Sequence, residues 1–145
     1  MISLPDLPLL RRIKRLHLSN GWVARRGLYI GLQELHHLTH VSFPVQPAGQ
    51  QSIHTEILTY IRDSFHALRV VILWRAPYQE SRVIYGVLMK RGLTDPRIVV
   101  FNAARFAESA EPDNHFWKLA ELIVQWRENR KGPGTLIFSP LFLLA

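Results

Sequence analysis

The chain has 145 residues, 48% of them apolar and 20% charged, which is long enough to bury a core unaided and too apolar to stay disordered. It contains no cysteine, which excludes a disulfide scaffold, a Cys-ligated metal and a thiol nucleophile. The net charge of +7 is uneven: residues 1–26 hold Arg11, Arg12, Lys14, Arg15, Arg25 and Arg26 against Asp6 alone, and so contribute +5 of it.

These bounds predict one α/β domain spanning 1–145, with 1–26 as a basic amino-terminal arm. The opening MISLPDLPLLRRIKR places its apolar stretch before the positive charges, the reverse of a secretory signal. No apolar run approaches the roughly 18 residues of a membrane span. A cytoplasmic protein is expected.

In chain order, LLRRIKRLHLSNG sets Leu9, Ile13 and Leu16 at helical spacing with basic residues between them and Asn20-Gly21 as a stop, which predicts a short basic helix. WVARRGLYIGLQ and HHLTHVSF then predict two strands joined near Gln33 and Glu34, added to one edge of the sheet in an orientation left open between parallel and antiparallel. From Ser52, the apolar positions Ile53, Ile57, Ile61 and Phe65 recur every four residues, a helix with one buried stripe. RVVILW (69–74) reads as a strand buried on both faces.

Val83, Ile84, Val87 and Leu88 predict a further helix, closed by Gly92. RIVVF predicts a second buried strand over 97–102. Asp113 is placed to cap a helix with Phe116, Trp117, Ala120, Ile123, Val124 and Trp126 on its apolar face. TLIFS predicts a third strand over 135–139. The alternation of strand and helix from Arg69 onward predicts a small, mainly parallel sheet flanked by helices. The terminal PLFLLA is expected to pack back on that sheet rather than meet a partner.

Ligands in such sheets usually lie beyond the carboxyl ends of the strands, which directs attention to Arg75, Asn102 and Ser139. No phosphate-binding glycine loop and no G-x-S-x-G elbow follows any strand, and none ends in acidic residues suited to a catalytic metal. Arg12 and His17 match a loose ribonuclease spacing, and GLYIG matches half of the GIY-YIG nuclease signature. The first pattern lies wholly in the predicted basic helix and is frequent by chance, and the second lacks its other half and the downstream catalytic Arg and Glu. The run Glu34, His36, His37, His40 is the most chemically suggestive: His36 and His40 are candidate metal ligands, with partly exposed structural histidines as the plainer reading.

Arg11, Arg12, Lys14, Arg15, Arg25 and Arg26 form a candidate electrostatic docking surface, with Trp22 and Tyr29 as stacking or interface residues beside it. The leading expectation is a non-enzymatic protein, free of cofactors, that binds or inhibits a protein partner with an acidic surface. The alternatives are a nucleic-acid-binding accessory subunit and a metal-dependent hydrolase or nuclease using the histidine cluster. No membrane partner is expected.

From Val41 to Phe142 the layout resembles the SulA-like cell-division inhibitors, a degenerate RecA-like α/β family, with Leu73-Trp74 ending a strand, then Pro77 and a helix closing near Gly92. The resemblance implies a protein that lacks its larger relatives' nucleotide site and acts by occupying another protein's surface.

Overall fold

A computed structural model describes residues 12–18, 32, 34–45, 55–104 and 115–129. Four strands, β1 (Arg15–His17), β2 (His40–Pro44), β3 (Val70–Arg75) and β4 (Ile98–Asn102), form one sheet in the order β1-β2-β3-β4. Every pairing is parallel. Three helices flank it among the described residues: α1 (Thr55–Ser64), α2 (Ser81–Lys90) and α3 (His115–Asn129). The expected α/β class is what forms.

Register separates the two faces. Val41, Phe43, Val71, Leu73, Ile98 and Val100 pack with Ile57, Leu58 and Ile61 of α1 and with Ile84, Tyr85 and Leu88 of α2. Val70, Ile72, Trp74, Val99 and Phe101 pack instead with Phe116, Trp117, Ala120, Ile123 and Val124 of α3. Strands buried on both sides cannot alternate apolar with polar, which is why β3 and β4 read as unbroken hydrophobic runs. Sequential strand order with both connecting helices on one face is what repeated crossovers of one hand produce.

The helices end where the chemistry directs. Gly92 adopts φ 67, a left-handed conformation that stops α2 at low steric cost. Arg97 gathers the last turn of α1: its guanidinium donates to the carbonyls of Ile61, Phe65 and Leu68 and grips Asp95 through Nε and Nη2. A cation there neutralises the carbonyl end of the helix dipole.

Two expectations are corrected. The predicted basic helix contains Arg15–His17, which form β1 beside β2. Leu16-His17-Leu18 alternates as well as it follows a helical period, and pairing with β2 outweighs local propensity. The second amino-terminal strand is present as β2, but it lies inside the sheet between β1 and β3 rather than at an edge. Predictions on 19–31, Ile53, Asp113, 135–139 and PLFLLA lie outside the described residues.

The outward edge of β4 is closed by side chains. Tyr85 Oη accepts the Val100 N–H at 3.0 Å, and Arg127 donates to the Ile98 carbonyl at 2.5 Å, the Pro96 carbonyl at 3.3 Å and Tyr85 Oη at 2.9 Å. Arg127 is only 2% exposed and forms no ion pair among the described residues. Its guanidinium carbon sits 5.4 Å from the Tyr85 ring centroid, an attraction that helps offset burial of the charge. Tyr85→Phe should therefore lower unfolding stability by about 1–3 kcal/mol, because it strands a buried amide and part of a buried guanidinium. Urea denaturation reads this directly, and an unchanged midpoint would show that these groups find other partners.

Candidate functional site

A parallel sheet brings the amino ends of all its strands to one side. Here they are laced together before the strands begin. The Lys14 carbonyl accepts N–H bonds from Thr39 and His40 at 2.9 and 3.0 Å, and the Thr39 carbonyl accepts from Arg69 and Val70 at 2.8 and 3.1 Å. Neighbouring strands lie about 4.8 Å apart, so the backbones at Lys14 and Arg69, two spacings distant, stand roughly 10 Å from one another. Lys14, Arg15 and Arg69 are exposed, as is Arg12 just upstream. Among the described residues none of these four side chains has a hydrogen-bond or ion-pair partner.

Register also sets Arg15 beside His40, His40 beside Val70, and His17 beside Ser42. The β1–β2 half of this sheet face is thus polar where the β3–β4 half is apolar. His40, 6% exposed, is held through both ring nitrogens: Nε2 meets Glu121 Oε1 at 2.5 Å and Nδ1 meets Thr39 Oγ1 at 2.7 Å. Trp117 packs edge-on against its ring at 5.5 Å. Burial lowers the His40 pKa below its ordinary value; the Glu121 carboxylate opposes that shift, while Arg15 and Arg69 reinforce it.

His17 Nδ1 lies 2.7 Å from Ser42 Oγ. Such a pair suggests a serine nucleophile with its base, but Ser42 is fully buried in the middle of β2. A substrate carbonyl cannot reach that hydroxyl, so the bond satisfies a buried polar group. His17 keeps much of its ring exposed, and the burial it does have lowers its basicity.

Beside His40 an open cleft of about 560 Å³ runs between the amino ends of the strands and α3. Leu68, Val70 and Val124 give it apolar surface, His66, Arg69 and Arg97 form one rim, and Glu121, Gln125 and Glu128 form the other. It lies at the end of the sheet opposite the expected position. At the carboxyl ends, Arg75 is spent on Ser81 and on the carbonyls of Ala76 and Gln79, and Asn102 receives the Ala104 N–H. Both staple their own loops.

Of the predicted docking residues, Arg12, Lys14 and Arg15 stand together at the β1 end. Arg11, Trp22, Arg25, Arg26 and Tyr29 lie outside the described residues, as does Ser139. The histidine run is divided: Glu34, His36 and His37 are exposed ahead of the sheet, whereas His40 is buried against Glu121. Among the described residues no three His, Asp or Glu side chains stand close enough to hold a metal. Arg69 and Glu121 belong to the site without having been singled out in the sequence. Arg69 had a signal, the first position of a predicted strand; Glu121, 81 residues from His40, had none.

No family model, curated protein or solved structure matches this chain. Among the described residues no helix is long and apolar enough to cross a membrane.

The lowered His40 pKa makes stability depend on pH. Below the unfolded-state value of 6.5, the unfolded chain binds the proton before the folded one does, so stability is whole above 6.5 and falls as pH drops through it toward the lower folded-state value. Wild-type protein should have a lower urea midpoint at about pH 5.5 than at about pH 7.5, two conditions that bracket histidine titration, and His40→Gln should reduce the difference to the share that His17 contributes. An equal slope in the variant would place the dependence elsewhere.

Proposed function

We propose that this chain is a non-enzymatic binding protein that docks on an acidic surface of a protein partner through the cationic strip at the amino end of its sheet. The observation that carries the reading is the alignment of Arg12, Lys14, Arg15 and Arg69 with no acid among the described residues paired to any of them. Unpaired, closely spaced cations repel one another in the free protein, and a complementary surface relieves that repulsion. The strip is built on laced backbone, so little ordering cost attends its use.

An acidic protein surface suits it better than a nucleic acid. Glu121 and Glu128 border the same end of the sheet and would repel a phosphate backbone tracking across it. Among the described aromatic residues, Tyr78 is the most exposed, and it follows the carboxyl end of β3, away from the strip. The buried Ser42 hydroxyl and the doubly bonded His40 ring also favour binding over catalysis. The resemblance carried by Trp74 and Pro77 points the same way, toward a protein that works by covering another protein's surface.

Anisotropy titrations with a labelled glutamate-rich peptide, and with single- and double-stranded DNA and RNA of matched charge, test this at about 50 and 200 mM salt, where charge-driven contacts differ strongly. The peptide should bind in a salt-sensitive manner, and the combined substitution Lys14→Glu, Arg15→Glu, Arg69→Glu should abolish binding while leaving the thermal melt intact. Tighter binding of a nucleic acid, lost in the same variant, would transfer the strip to the accessory-subunit reading. Binding unaffected by the substitutions would remove the strip from either role.

A further inference from the structure

The cleft beside His40 carries arginines on one wall and glutamates on the other, and among the described residues none of these arginines is paired with one of these glutamates. On α3, Glu121, Gln125 and Glu128 fall at positions i, i+4 and i+7, one face of the helix extending about 10 Å. Among the described residues Glu128 has no hydrogen-bond or ion-pair partner, and Glu121 binds His40 alone. Across the cleft, Arg97 is committed to Asp95 and to the carbonyls of α1. Arg69 has no partner among the described residues, with His66 beside it on the same rim. Among the described residues the His40–Glu121 contact joins the two walls, and no arginine is paired with a glutamate across the gap.

A ligand of one charge sign would satisfy one wall and desolvate the other at a cost. A molecule with a carboxylate at one end and an ammonium at the other satisfies both. The cleft volume falls in the range of about 300–1,000 Å³ usual for small-ligand sites, more than a single amino acid fills. Two extended residues span about 7 Å, longer than the roughly 4 Å within which an arginine and a carboxylate pair directly. Leu68, Val70 and Val124 offer apolar surface between the charged rims.

We infer that this cleft is a binding site for a short zwitterionic peptide, its terminal carboxylate on Arg69 with His66 nearby, its ammonium between Glu121 and Glu128, and an apolar side chain against Leu68, Val70 and Val124. Arginine recognises a carboxylate in a two-pronged geometry, and charge-assisted bonds of this kind are the strong ones. The site is independent of the docking strip in all but Arg69.

Calorimetric titration of the full chain with alanyl-leucine, its N-acetyl form and its C-terminal amide tests the assignment. The free dipeptide should bind, and masking either end should weaken it by about tenfold, as expected for a lost charged hydrogen bond. Arg69→Ala should weaken the free dipeptide to the level of the amide and make amidation almost without further effect. Glu128→Gln should do the same for acetylation while leaving the glutamate-rich peptide's affinity unchanged, which separates this site from the docking strip. Both side chains are exposed and unbonded, so neither change should shift the thermal melt. Absence of heat with the free dipeptide at millimolar concentration, or equal affinity for the three forms, would overturn the assignment.

Discussion

The backbone lacing at the amino end of the sheet, in which the carbonyls of Lys14 and Thr39 each take two amides from the next strand, fixes everything that follows. It aligns the first three strands at one end and sets their register. Register then decides which residue meets which neighbour. Arg15 stands beside His40 because Leu16 stands beside Val41, and a slip of one residue would turn cations into the core and leucines into water. The cationic strip, the His40–Glu121 contact and the cleft are consequences of this single alignment.

The sheet's two faces divide the labour. The face under α1 and α2 is apolar from β2 through β4 and supplies hydrophobic stabilisation. The opposite face is apolar only under α3, giving way at β2 to His40 and Ser42 and at β1 to Arg15 and His17. Polar groups on a sheet face require partners when they are buried. Glu121, Thr39 and His17 provide them, with the result that the polar half of the sheet is cross-linked by side-chain bonds where the apolar half is held by packing.

The helices and central strands were legible because their signals are local. Four-residue spacing marked α1, the run VVILW marked β3, and Gly92 marked the end of α2. β1 was illegible because three residues suffice neither to establish a period of two nor to exclude one of 3.6, and only its pairing with β2 settles the matter. Part of the site was visible as Arg12, Lys14 and Arg15, since charge density needs no fold to be noticed. The cleft was not, because Arg69, Glu121 and Glu128 converge only when α3 is laid across strands far away in the chain, and the usual rule for parallel sheets points to the opposite end.

The stopper formed by Tyr85 and Arg127 at the β4 edge bears on how copies of this molecule can associate. Growth of a sheet from molecule to molecule requires every unit to offer two bare edges, one to receive and one to donate. With the Ile98 carbonyl and the Val100 amide already occupied by side chains, each unit offers at most the β1 side. Two such units meeting edge to edge complete a closed pair and leave nothing for a third, so a chain rich in buried, strand-forming sequence is protected from open-ended polymerisation.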